Sequence, residues 1–327
     1  MDKSYNSMYG LYIKQFVEMK RALGFKYSTG SVILHQIDRL AEQREETATG
    51  ITKEFASIWG EKRPHESGTY RYNRIRILAQ FSSYLLDLGI RSYIPKLPHH
   101  PKNTFVPYIF TRNEIDAIFK ACDSLILETI NPASVIFCMP VLLRLLYATG
   151  LRISEALILK DEDVNLNDGF IQIKDSKNEK ERIIPISKSL ASVCRDYLQY
   201  RDHLPLGEIK SGYFFVKLNG DKCGPSIRSW FKTCLKKADV TGFKGKQAPR
   251  IHDLRHTFAI TALANMAESG IDLYASLPVL STYLGHQSLE ATNHYVRLTA
   301  NMYPELIKKI DVVCLDVFPK ISNYEND

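Results

Sequence analysis

Residues 281–298 read S-T-Y-L-G-H-Q-S-L-E-A-T-N-H-Y-V-R-L. A helical pattern ends at Gly285, His286 follows at the turn, and Ser288 can cap a further helix by accepting from free N–H groups of its first turn. Tyr295 lies one to two turns on, beside His294. An aromatic on a helix ordinarily packs in a core with its hydroxyl near the surface. A phenol of pKa ~10 is also a poor nucleophile near neutral pH unless cations surround it. The reading of this stretch therefore turns on whether other segments bring cations to it. Three segments can.

The first is residues 147–156, Y-A-T-G-L-R-I-S-E-A. Gly150 reads as the end of one helix, and the next starts at once with Arg152 in its first turn. A cation there opposes the helix dipole. It belongs with an i, i+3 carboxylate, Glu155, with a bound phosphate of the kind helix N-termini hold, or with both, Glu155 orienting the guanidinium. The second segment joins two alternating runs, residues 169–174 and 181–186, through the polar loop D-S-K-N-E-K and reads as a β-hairpin. Lys174, Lys177, Lys180 and Arg182 crowd that loop, which alone is an ordinary solvated turn. The third is residues 250–258, R-I-H-D-L-R-H-T-F. On a helix His252, Arg255 and His256 share one face, which sets proton-transfer groups beside an anion clamp. Asp253, Leu254 and Phe258 supply pairing and packing. A two-histidine metal face lacks the acidic residue of a metallopeptidase motif.

Outward from these motifs, residues 1–92 read as four helices. Their apolar positions are Tyr9, Ile13, Phe16 and Val17, then Ile33, Leu34 and Ile37, then Phe55, Ile58 and Trp59, then Ile75, Leu78, Phe81 and Leu85. Thr52 is a candidate cap, and Gly24 and Gly89 are candidate stops. Such helices make a small bundle. Its polar faces carry Lys14, Lys20, Arg21 and Lys26 near one helix end and Arg71, Arg74 and Arg76 on the fourth helix, with Tyr27, Tyr70 and Tyr72 interleaved. That mixture suits a phosphate backbone, though most charge runs are simply solvated faces. Pro95, Pro98, Pro101 and Pro107 make residues 93–110 an extended linker, and Thr111 with Glu114 opens a second domain with a capping box. That domain, residues 111–300, is mainly helical around the hairpin. Tyr213–Val216 reads as a third strand, Pro225 opens a helix, and residues 301–327 hold an amphipathic tail helix. The expected fold is mainly α (α+β): an N-terminal bundle and a mostly helical second domain with a small antiparallel sheet.

The 327 residues are 45% apolar and carry a net charge of +7, which supports two cores and permits an anionic partner. The six cysteines form no C-x-x-C pair, and His99 and His100 lack a third ligand, so buried free thiols and no metal are expected. The N-terminus has no apolar signal region, and the apolar run 135–146 is short and interrupted by Pro140 and Arg144, so a cytoplasmic, membrane-free protein is expected.

The four motifs in this order, T-G-L-R-I-S-E, a hairpin lysine, H-x-L-R-H, then L-G-H and a late tyrosine, resemble the tyrosine recombinase (phage-integrase) family over about residues 111–300. Residues 1–92 resemble that family's core-binding domain in their helical, basic character. The resemblance implies a site-specific DNA recombinase in which Tyr295 attacks a DNA phosphate and forms a 3′-phosphotyrosyl link. Arg152 and Arg255 would hold the non-bridging oxygens, and Lys177 would protonate the leaving 5′-oxygen, with Lys174 and Lys180 as alternatives. His252 would assist proton transfer at the tyrosine, and His286 would hydrogen-bond the phosphate. It implies no cofactor. It implies double-stranded DNA held in a clamp of the two domains, a homotetramer on two DNA sites coupled through the tail, and accessory recombinases or directionality factors. Residues 1–92 are expected to leave no room for a separate arm-binding domain, which argues against a large phage-type integrase with two DNA sites per protomer. A transposon-borne integrase and an Xer-like chromosome-dimer resolvase both fit, and integration or excision of a mobile element is the preferred role. A type IB topoisomerase shares the nucleophile chemistry, but the motif order and the tail favour strand exchange. A non-catalytic DNA-binding module would not need the complete set of Arg, Lys, His and Tyr.

Overall fold

The computed structural model describes residues 5–101, 105–126, 131–174, 181–204, 212–240 and 248–286, together with Ser288, Thr292 and Tyr295. The chain divides into two units, residues 1–105 and 106–327.

In the first unit, α1 (Gly10–Ala22), α2 (Ser28–Gln43), α3 (Lys53–Gly60) and α4 (Gly68–Asp87) form the bundle. The expected apolar positions meet in its core: Tyr9, Ile13, Phe16, Ile33, Leu34, Ile37, Phe55, Trp59, Leu78, Phe81 and Leu85 are buried. Each such side chain contributes roughly 1.5–3 kcal/mol on leaving water. Local chemistry sets the helix ends. The hydroxyls of Thr52 and Ser67 accept from the N–H groups of Phe55 and Tyr70, and Gly24 and Gly89 follow α1 and α4 at φ +85° and +81°. Asp38, buried on α2, accepts from the N–H groups of Asn6 and Ser7 and from the Ser7 hydroxyl, which pins the chain entering α1.

One expected phosphate contact is overturned here. Arg74 is fully buried. Its guanidinium lies 4.8 Å from the Trp59 ring centroid, pairs with Glu66 at 2.8 Å, and donates to the carbonyls of Trp59 and Glu61. A cation so enclosed is a cross-link of the bundle and not a reader of DNA. Helical spacing placed it with Arg71 and Arg76, but the Glu66 side chain reaches over it. Arg71 is half-buried and donates to the Gly60 carbonyl at 2.9 Å, whereas Lys14, Arg21, Lys26 and Arg76 are exposed.

The second unit opens on α5 (Arg112–Asp123), where Thr111 and Glu114 form the expected capping box. A 3₁₀ turn (Ile136–Cys138) leads into α6 (Met139–Thr149), buried along most of its surface, with Pro140 in its first turn. Its one charge, Arg144, pairs with Asp123 of α5 at 2.7 Å and covers the Phe119 ring. After the single-turn α7 (Ile153–Ala156) come β1 (Val164–Asn165), β2 (Phe170–Ile173) and β3 (Arg182–Pro185), an antiparallel sheet in the order β1-β2-β3. The helices α8 (Lys188–Asp202), α9 (Ser226–Lys237), α10 (Asp253–Glu268) and α11 (Leu273–Leu284) follow. Helix α6 is the hub against which α5, α8 and α10 pack.

Tyr213–Val216 is not a strand of this sheet. Phe214 and Phe215 are both buried, so the segment lacks the alternation a half-buried strand requires. Isolated bridges, Lys160 to Tyr213 and Val216 to Lys222, hold it, and the third strand is β1. Cys122, Cys138, Cys194, Cys223 and Cys234 are buried free thiols, and Cys314 lies outside the described residues. Among the described residues no helix is long and apolar enough to cross a membrane. The tail helix expected in residues 301–327 also lies outside the described residues.

Removing Arg74 takes the paired guanidinium from Glu66, a side chain 3% exposed that keeps only the Arg63 N–H and the more distant Arg63 charge, so Arg74→Ala should destabilise the bundle by about 3–5 kcal/mol. Arg76→Ala, on the exposed face, should change stability by less than about 0.5 kcal/mol. Urea unfolding followed by Trp59 fluorescence in a Trp230→Phe background measures both.

Candidate active site

The site gathers at the C-terminal end of α11. A helix end leaves carbonyls without intrahelical partners, and here three consecutive carbonyls each accept from a different arginine. Arg182 Nε donates to the Tyr283 oxygen at 2.8 Å, Arg255 Nη2 to the Leu284 oxygen at 2.7 Å, and Arg152 Nη2 to the Gly285 oxygen at 2.9 Å. The negative end of the helix dipole favours cations there. The three arginines come from β3, from α10 and from the turn before α7.

Two glycines make this approach possible. Gly285 closes α11 at φ +65°, a left-handed conformation that side chains disfavour, and a Cβ there would stand 2.8 Å from Arg182 Nη1. Gly150 closes α6 at φ +61°, where a Cβ would stand 2.4 Å from the Phe258 ring of α10. Its carbonyl accepts from Arg255 Nη1 at 2.8 Å. The T-G-L-R and L-G-H motifs are thus read by the same arginine.

Glu155 lies beneath the cluster, 2% exposed. Its carboxylate takes Arg152 Nη1 at 2.7 Å, the Arg152 N–H at 3.0 Å and Arg182 Nη2 at 2.8 Å. Burial pushes its pKa up, but the hydrogen bonds and charges of Arg182 and Arg152 outweigh that and hold it below the usual range. Among the described residues, three guanidiniums thus gather around one carboxylate, which leaves this cluster cationic. Arg255 is 2% exposed; burial, then the charge of Arg152, brings its pKa down to about 10.

Tyr295 is 3% exposed and joins this cluster. Its hydroxyl lies 2.9 Å from His256 Nδ1, and its ring stacks with His286 at 17°. Burial raises the phenol pKa; the charge and hydrogen bond of Arg255, and the charge of Arg152, pull against that without reversing it. The cations are present as expected, yet desolvation wins, so the resting phenol is protonated. His252 stands at the N-terminus of α10 and meets His256 edge-to-face at 4.9 Å. His286 Nδ1 lies 2.7 Å from the Thr292 hydroxyl. Burial first, then neighbouring arginines, depresses both His252 and His286 to about 4, so both are neutral near pH 7.

The structure therefore brings together Arg152, His252, Arg255, His286 and Tyr295. Lys177 and Lys180 lie outside the described residues. Lys174 is directed elsewhere, to Asp163 at 2.8 Å and Glu162 at 3.4 Å, and the Asp163 hydrogen bond raises its pKa. Sequence reasoning counted Arg182 as one more loop cation and set His256 on the proton-transfer face without linking it to Tyr295. The only sequence signals for them are Arg182's place just after the loop and His256's place beside Arg255.

A sequence profile described as the phage integrase family matches residues 109–302. The chain is 28% identical over 303 residues to y4rB of Sinorhizobium fredii, which is named as an integrase/recombinase; the match spans 91% of this chain and 96% of that one. It is 31% identical over 242 residues to the tyrosine recombinase XerA of Pyrococcus horikoshii, spanning 72% of this chain and 73% of that one. Among solved structures, the Tn1549 transposon integrase in complex with transposon right end DNA aligns with a TM-score of 0.62 at 18% identity, over 89% of this chain and 94% of that one. The XerH recombinase bound to its difH substrate aligns at 0.59 and 20% identity, over 89% and 81%. These two share the fold. The chain belongs to the phage integrase family of tyrosine recombinases, enzymes that cut and rejoin DNA by transesterification.

Gly285→Ala should destabilise the protein by more than Gly89→Ala. Both force a side chain into left-handed backbone, at roughly 1–2 kcal/mol, but an added Cβ at Gly89 meets nothing within 4 Å. Thermal unfolding of the two variants makes the comparison. Stability should also fall as pH drops from about 6.5 towards about 4. Over that window the unfolded chain protonates His252 and His286 while the folded state keeps them neutral, so unfolding takes up protons. Urea unfolding across that range should show the slope, and it should flatten in His252→Gln/His286→Gln.

Proposed function

We propose that this chain is a site-specific DNA recombinase that cuts and rejoins DNA through a 3′-phosphotyrosine intermediate on Tyr295, in the integration or excision of a mobile element. The observation that carries this reading is the Tyr295 hydroxyl, buried beside Arg255 and Arg152, residues brought from three separate stretches of sequence. A phosphodiester set against the two guanidiniums would have its non-bridging oxygens held and its growing charge stabilised. Attack by the Tyr295 oxygen would join tyrosine to the 3′-phosphate and release a 5′-hydroxyl. Attack by a second 5′-hydroxyl would reverse the exchange on a new partner, so no bond energy is lost.

The neutral imidazoles of His252 and His286 are assigned to hydrogen bonds with that phosphate and to proton traffic around it. Lys177 is assigned to protonate the leaving 5′-oxygen. Lys174 is disfavoured for that task because its carboxylate partners stabilise the ammonium and make it a weaker acid. Lys14, Lys20, Arg21, Lys26, Arg71 and Arg76 are assigned to the DNA backbone. The assembly we propose is a homotetramer on two double-stranded sites, acting where the DNA is, in the cytoplasm. The integrase/recombinase relative aligned over nearly its whole length supports the mobile-element role. The higher identity to XerA of Pyrococcus horikoshii favours, as a second reading, Xer-like resolution of chromosome dimers.

The test uses a pool of nicked duplexes with a randomised core. The nick lets the freed 5′-end diffuse away and traps the covalent complex. The wild-type chain should form detergent-resistant protein–DNA adducts that collapse onto one sequence, and Tyr295→Phe should form none. An adduct that survives in Tyr295→Phe would sink the assignment. Exchange between two duplexes carrying the recovered sequence would separate recombination from simple relaxation.

A further inference from the structure

The reaction above needs a base, because the phenol is buried and its pKa is raised. At 3% exposure the hydroxyl has little access to bulk water as a proton acceptor. Its neighbours then decide where the proton goes. Arg255 sets its positive charge against the Tyr295 oxygen, and a guanidinium has no acceptor, so it cannot receive the hydroxyl proton. The hydroxyl proton must point elsewhere. His256 Nδ1, at 2.9 Å, is a partner that can take it, provided the ring carries its own proton on Nε2.

We infer that His256, not His252, is the general base that removes the Tyr295 proton. The inference rests on the reading of Tyr295 as nucleophile. As the Tyr295 oxygen bonds to phosphorus, its proton passes to His256 Nδ1 and the bond from phosphorus to the 5′-oxygen breaks. The 5′-oxygen takes its proton from a separate acid. In the rejoining step the incoming 5′-hydroxyl gives its proton back to that acid as it displaces Tyr295, and His256 returns its own to the phenolate. Nothing is consumed, and no outside acceptor is needed. His252 is 4.9 Å away, ring to ring and edge-to-face, so it packs the base. Arg255 and His256 are adjacent on α10, so one helix turn delivers both a cation and the proton acceptor to the oxygen. A positioned base of this kind contributes about 10²–10⁴-fold to the rate.

The test uses the duplex recovered by trapping, with sulfur replacing the 5′-bridging oxygen at the cleaved bond. A thiolate leaves without protonation, so the rate reports the nucleophile alone. His256→Asn keeps a hydrogen-bonding group near the Nδ1 position but no base. It should form adduct about 10²–10⁴-fold more slowly than wild type while binding the duplex equally well. His256→Ala, with room for a small heterocycle, should recover rate on adding imidazole, and more basic imidazoles should restore more. A His256→Asn rate within a few-fold of wild type, with Tyr295→Phe inactive, would overturn the inference and leave the nucleophile standing. Rescue that ignores imidazole basicity would overturn it as well. A wild-type chain that forms no adduct would remove both.

Discussion

Three arginines on three successive carbonyls are the constraint from which the rest follows. Guanidiniums repel one another, and packing several together in a buried site needs fixed compensation. Here the end of α11 supplies oriented carbonyl oxygens, and Glu155 supplies the carboxylate that pairs with Arg152 and Arg182. Carbonyls hold the arginines without neutralising them. The cluster therefore keeps a surplus of positive charge that only an anion can balance, with its donors already aimed.

That constraint explains where glycine is required. A left-handed turn at Gly285 exposes the last carbonyls of α11, and one at Gly150 lets α6 end against Phe258 with its carbonyl on Arg255. It also explains the hairpin. Arg182 begins β3 immediately after the lysine-bearing loop, and its bonds to Glu155 and Tyr283 fasten that end of the loop to the arginine cluster. The segment before α5 is fastened as well: the Phe110 N–H donates to the hydroxyl of Thr257, the residue after His256.

What could be read from the sequence was local or periodic. Thr52 and Thr111 cap their helices because the acceptor and the free N–H are three residues apart, and the bundle core follows helical spacing. The Arg152–Glu155 pair was legible for the same reason. The misreadings are the places where a distant residue decides. Spacing alone put Arg74 on a polar face; Glu66 and Trp59 enclosed it. The apolar run at Tyr213–Val216 looked like a strand, but two adjacent phenylalanines both face inward. Arg182 looked like a loop cation because its carbonyl partner lies 101 residues away. His256 was visible on the right face, but its bond to Tyr295 spans 39 residues. The rise of the phenol pKa was not legible either, because burial belongs to the fold.

The placement of the thiols divides the molecule in another way. All six cysteines fall after residue 105, and the five that are described are buried. Cys138 and Cys223 face each other at 3.5 Å in the core of the second unit, where their mutual hydrogen bond and then burial keep the Cys138 thiol strongly protonated. An alkylating reagent finds no target in the bundle and meets these two sulfurs only when the core around α6 opens. Thiol labelling thus times the breathing of the half that holds the chemistry, against a half that is silent to the reagent.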